Sequence, residues 1–164
     1  MFCILGWRGA DATSIVGISG SWYFLGGIAM NIAGIGEFIL GNTLPFAVFV
    51  IYGCHWVNIA YTGDPWHPLV AAYGAGGAAG KPWNSGQAFY NVTMTLVSFV
   101  FMLGALRTNV PFVLAFFCLI FLFSFFAAAD WQIGYATGPA DLEYATYLLK
   151  IAGGFGFVTA LCGW

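Results

Sequence analysis

A carboxylate, Glu37, stands at the end of a long apolar run, and after the short polar break Gly41-Asn42-Thr43 a second apolar run carries Tyr52 and His55 three residues apart. Charge in such a setting is rare and needs a partner or a task. For Glu37 two readings are open: its carboxylate accepts hydrogen bonds from the neighbouring turn, or it exchanges protons with a passing solute. His55, on roughly the same helix face as Tyr52, either shares protons with it or is a satisfied core histidine. The start of the second run, at Asn42 and Thr43, offers unpaired N–H groups and a positive dipole end to an anion, or is a capped surface turn. A third group is the series Gln87, Asn91, Met94 or Thr95, and Ser98, whose spacing draws polar atoms onto one helix face. Lipid cannot satisfy that face, so it hydrogen-bonds to other helices or lines a solute path. His67, between prolines in a loop, is expected to be solvated. It lies far from His55 in the sequence, and the two make no metal site. No nucleophile and base share a catalytic spacing and no cofactor motif is present, so the reading is not an enzyme.

The elements that must position these groups follow from composition. Hydrophobic residues make up 61% of the 164 and charged residues only 6%, far below the roughly 25% charged residues of a soluble domain. The chain reads as one integral membrane domain, residues 1–164, of all-α class: a multipass transmembrane helical bundle. Its apolar runs have the length a helix needs to cross a bilayer and do not alternate as barrel strands do. The net charge of −2, without a basic run, argues against nucleic acid. Cys3, Cys54, Cys118 and Cys162 are scattered singly in apolar sequence and read as small buried hydrophobes.

Five complete spans are expected, at about residues 15–40, 44–61, 87–106, 111–129 and 145–164. The first is rich in glycine, at positions 17, 20, 26, 27, 34 and 36, which favours close helix packing in lipid. It forms a hairpin with the second through the Gly41-Asn42-Thr43 turn, with Asn42 or Thr43 as the cap and Pro45 in the first turn. Thr62 to Ser85 has loop chemistry, with Trp66 and Trp83 suited to a membrane interface. The fourth span, dense in Phe and Leu, is expected largely to face lipid, and Asp130 to Glu143 is expected to be a polar loop. One basic residue on one side against two on the other leaves orientation open.

The run Gly26-Gly27, Ala33-Gly34, Glu37-Phe38, Gly41-Asn42-Thr43 and Tyr52-Gly53-x-x-Trp56 resembles the signature of the acetate uptake transporter family, also called the YaaH family. Leu106-Arg107-Thr-Asn, Phe116-Phe117-Cys-Leu119 and Lys150-Ile-Ala-Gly-Gly-Phe-Gly extend the resemblance over nearly the whole chain, and its tone is closest to fungal members. The resemblance implies a plasma-membrane transporter or channel for acetate and similar small monocarboxylates moving with protons, assembled as a homo-hexamer. It implies a narrow apolar gate to which Tyr52 and Leu119 contribute, and a polar signature at Glu37, Asn42 and Thr43. It also places the Asn42 turn and Arg107 in the cytoplasm. The ammonium exporters of the family are an alternative of the same fold.

The family's opening Asn-Pro-x-Pro-Leu-Gly-Leu motif is absent, and Met1 to Gly6 resembles only the last turns of its first helix. Leu44-Pro45 follows Asn42-Thr43 where Phe-Gly is usual, Met30 replaces a common Gln, and His55 stands where an aromatic is common. An N-terminally truncated member is therefore expected, and a non-transporting subunit or regulator is the second function class.

Overall fold

The computed structural model describes residues 5–10 and 12–163, so Cys3 and most of the expected first-helix remnant lie outside it; Leu5 and Gly6 form a turn. Among the described residues every regular element is helical. Five helices are long and apolar enough to cross a membrane: α1 (Val16–Ile39), α2 (Thr43–Gly63), α3 (Lys81–Ala105), α4 (Val110–Gly134) and α5 (Pro139–Gly163). The chain is a multipass membrane protein. It divides into two compact units, one spanning Ala12–Leu69 and the other containing Val70–Trp164.

The first unit is the hairpin of α1 and α2. Its first helix is wound in three ways: 3-10 at Ala12–Ile18, π at Trp22–Ala29 and α at Met30–Ile39. Glycine sets how closely it meets α2. A Cβ on Gly26 would lie 2.6 Å from Cγ and 2.7 Å from Cβ of Trp56, one on Gly27 would lie 2.5 Å from Val57, and one on Gly34 3.0 Å from Val50. From the other side, a Cβ on Gly53 would lie 2.5 Å from Asn31 Nδ2. Positions 17, 20 and 36 have nothing within 4 Å to meet. The glycine-rich face expected from sequence thus narrows to Gly26, Gly27 and Gly34. Asn31 completes the seam, donating from Nδ2 to the Gly27 carbonyl at 2.8 Å, just where the π winding gives way to α.

The second unit is a three-helix array in which α4 packs on both α3 and α5. Phe116 is buried between Phe101 of α3, at 5.8 Å between ring centroids, and Phe112 one turn away. Phe121 and Phe125 stack on Phe155 of α5. The most apolar helix is therefore the central one of this unit, and much of its surface, at Val110, Leu114, Phe117 and Phe121, is also exposed. Apolarity cannot separate the two surfaces, because lipid tails are as apolar as a core.

Several helix ends differ from those read in the sequence. Pro82 sits in the first turn of α3, where its missing N–H costs nothing, so the helix starts six residues before Gln87. Asn109 caps α4 by accepting from Phe112 N at 2.8 Å. This helix runs on through Asp130 to Gly134, and α5 begins at Pro139, so most of the expected polar loop is helix. Asp141 holds the short connection, accepting from Thr137 N, Thr137 Oγ and Gly138 N, and from Gln132 Nε2 of α4. Between the units' helices, Leu69–Ala79 forms 3-10 turns broken at Gly74 and Gly77.

Gly26→Ala tests the hairpin seam. The new methyl meets the root of the Trp56 side chain, which cannot swing away, so the variant should lose about 1–3 kcal/mol of stability. Gly36→Ala, with open space, should hold or gain slightly. Thermal unfolding in detergent, followed by loss of the monodisperse peak on size exclusion, reads both.

Candidate functional site

The turn between α1 and α2 ends the first helix in a Schellman arrangement. Asn42 N donates to the Glu37 carbonyl at 2.9 Å and Gly41 N to the Phe38 carbonyl at 3.0 Å, with Gly41 at a φ of 82° that favours glycine. Asn42 then occupies the N-cap position of α2 but makes no side-chain cap bond. The third helical residue is Pro45, which has no N–H to offer a cap. The Asn42 amide turns back instead, and Nδ2 donates to Glu37 Oε2 at 2.7 Å. Thr43 is the exposed first residue of α2 and not a cap. Glu37, half-buried, thus closes the turn by backbone and side chain together, which is the first of its two sequence readings.

Along α2 the signature residues separate by depth. Tyr52 and His55 are both buried, at 7% exposure, and their rings meet edge to face at 6.4 Å. Trp56 follows, 5.9 Å from His55 and 6.2 Å from Trp22 of α1, with Gly26 beneath it. Cys54 is exposed, contrary to the buried role expected of it, and lies 3.9 Å from Asn31 Oδ1; Cys118 is buried as expected, and Cys162 is intermediate. All three are free thiols.

At the far end of this hairpin is a cluster that the sequence reading missed. Asp64 accepts from Tyr23 Oη of α1 at 3.3 Å and from Trp66 N at 2.9 Å. His67 Nδ1 lies 3.4 Å from Asp64 Oδ2, shielded from water but without a hydrogen bond, and the His67 ring rests on Tyr61 at 4.2 Å. The His67 side chain is 42% exposed, as a loop residue is expected to be, but the Asp64-Pro65-Trp66-His67 turn folds its ring back onto α2. The available signal was Asp-Pro three residues ahead of a histidine, a β-turn that brings the carboxylate and imidazole together.

In the second unit the polar series of α3 resolves residue by residue. Ser98, fully buried, donates to the Met94 carbonyl at 2.7 Å, and Thr95 donates to the Asn91 carbonyl at 3.0 Å. Gln87 is half-buried at the start of the series. Asn91 reaches across to α4, where Nδ2 donates to Asp130 Oδ2 at 2.8 Å. Asp130, expected in a loop, is thus a half-buried carboxylate within a membrane-crossing helix. Trp131 beside it packs edge-on against Phe89 of α3 at 5.6 Å. Leu119 lies half-buried on the same helix, next to buried Cys118. Among the described residues no group of three or more His, Cys, Asp or Glu is placed to hold a metal ion.

A double-mutant cycle on Glu37→Ala and Asn42→Ala should give a coupling of about 1 kcal/mol, the value of one partly exposed hydrogen bond to a charged group. Glu37→Gln keeps an acceptor and should retain most of the stability. Additive losses in detergent unfolding would mean that the pair does not close the turn.

The arrangement matches known proteins. A model of the GPR1/FUN34/yaaH family matches residues 2–164. Protein alcS of Aspergillus fumigatus is 31% identical over 167 residues, covering 98% of this chain and 60% of that protein. The Meiotically up-regulated gene 86 protein of Schizosaccharomyces pombe is 27% identical over 141 residues, 86% of this chain and 43% of that one. The chain thus spans at most about 60% of the length of these relatives. Among solved structures, the bacterial acetate channel SatP shares the fold at a TM-score of 0.65 and 21% identity, over 98% of this chain and 79% of that chain. The signature around Glu37, Asn42 and Tyr52 and the five-helix order therefore have one source: the chain belongs to the GPR1/FUN34/yaaH family.

Proposed function

We propose that this protein conducts acetate and similar small monocarboxylates across the membrane, each moving with a proton. The observation that carries the reading is family membership over residues 2–164 together with a fold shared with a bacterial acetate channel. By the same resemblance it works as a homo-oligomer, a hexamer, in the plasma membrane, with the Asn42 turn and Arg107 on the cytoplasmic side.

Tyr52 and Leu119 are the gate residues in this reading. A narrow apolar passage admits a small, largely dehydrated acid and rejects hydrated ions. Burial of Tyr52 and its edge-on packing with His55 support a ring held in one orientation, as a gate requires. The polar face from Gln87 through Asn91 to Ser98 gives the carboxylate hydrogen-bonding groups along its course. Glu37, Asn42 and Thr43 shape the entrance turn, and His55 and Trp56 brace the gate helix.

Uptake of labelled acetate by the chain reconstituted in liposomes, with an inward acid gradient, tests the function. Accumulation of labelled methylammonium without acetate would replace it by ammonium export. For the gate, Tyr52→Ala or Leu119→Ala should raise propionate uptake relative to acetate about tenfold, since a pocket discriminates by roughly that factor per methylene. Unchanged size selectivity in both variants would remove the gate roles.

A further inference from the structure

Asp130 differs from every other acid with a hydrogen bond among the described residues. Glu37, Asp64 and Asp141 lie at turns or helix ends, whereas Asp130 stands inside α4, four residues before its end at Gly134, or about 6 Å along the axis. A carboxylate within a span is retained against an insertion cost that reaches about 2.5–3.5 kcal/mol at the helix centre. Its bond from Asn91 offsets only part of such a cost, about 1.5–3 kcal/mol for a bond to a charged group. No Lys, Arg or His among the described residues forms an ion pair with it.

The chemistry of the pairing matters more than its strength. A lysine or arginine partner would favour the ionised carboxylate alone. The Asn91 amide donates to Oδ2, which can accept whether or not Oδ1 carries a proton, so the bond survives both states. Among the described residues Oδ1 has no hydrogen-bond partner, and it is not among the fully buried unpartnered atoms. Of the other charged groups at this end, Glu143 of α5 is exposed and the remaining two have partners of their own. Asp141 of α5 is held by Gln132, Thr137 and Gly138, and Lys81 of α3 lies over the Tyr135 ring at 4.2 Å. From Asn91 the polar face continues inward through Thr95 to Ser98, about 10 Å deeper in α3.

We propose that Asp130 is the proton-carrying group of the transport cycle, held by Asn91 at Oδ2 and exchanging its proton at Oδ1. The assignment rests on the transport reading above; Glu37 carries the same kind of amide contact, but at the turn that ends its helix, whereas Asp130 carries it inside a span. The step moves one proton: the O–H of a permeating monocarboxylic acid breaks, an O–H forms on Asp130 Oδ1, and the negative charge passes to the solute. The reverse transfer completes the cycle.

Two readouts on the full chain in liposomes separate this proposal from the transport reading. Infrared difference spectra between acid and neutral pH should show a protonated-carboxyl C=O band that Asp130→Asn abolishes. Asn91→Leu keeps the carboxyl and should move the pH at which the band appears. In labelled acetate uptake, Asp130→Asn should lose the rise on acidification and Asp130→Glu should restore it. A band untouched by Asp130→Asn, or an acid-stimulated uptake that survives it, overturns the proposal. Should Asp130→Asn fail to fold, an unmoved titration in Asn91→Leu overturns it. If the wild-type chain takes up no acetate but loses its band in Asp130→Asn, the transport reading fails and the titration of Asp130 stands.

Discussion

A bilayer offers a carboxylate no water, and this chain, with four Lys and Arg against six Asp and Glu, offers it few cations. Four of the six acids are held instead by neutral donors: an asparagine amide at Glu37, a tyrosine hydroxyl at Asp64, another asparagine at Asp130, and threonine and backbone N–H groups at Asp141. Neutral donors avoid a second desolvated charge, and they leave the acid's own charge uncancelled. Much of the architecture follows. The hairpin of α1 and α2 is clasped by a carboxylate at each end, Glu37 at the turn and Asp64 at the open end. The α3 and α4 pair is joined by one about a turn from the Gly134 end of α4.

Between its clasps, the hairpin is held by shape. Gly26, Gly27 and Gly34 on one helix and Gly53 on the other remove the side chains that would keep the backbones apart, and Trp56 and Val57 fill the space so opened. The same contact joins the glycines of one helix to Gly53 and Trp56 in the next. It is a packing motif with a polar turn at its end, and Tyr52 and His55 are buried beside it.

The five spans and the Gly41-Asn42-Thr43 hairpin were legible because apolar length and turn chemistry report on them directly. Helix ends were less so. Hydropathy marks the part of a helix that meets hydrocarbon, whereas hydrogen bonding continues into the headgroup layer; Lys81-Pro82-Trp83 looked like loop and is the first turn of α3. Asp130 was lost for the same reason, since the apolar run stops at it while the helix does not. Asn42 was misjudged as a cap because the rule weighs the capping residue and not the proline three positions on. The Asp64 and His67 contact depends on a turn that brings back a residue from beyond a helix end, which periodicity along the helix cannot register.

The mixed winding of the first span bears on where such a protein can reside. A residue in a 3-10 turn advances about 2.0 Å along the axis against about 1.5 Å in an α-helix. The seven residues Ala12–Ile18 therefore reach about 3.5 Å further than the same residues coiled as α. Membranes of one cell differ in thickness by a few Å. The 3-10 winding at the start of the first span thus adds reach of that order while leaving the glycine seam at Gly26, Gly27 and Gly34 untouched.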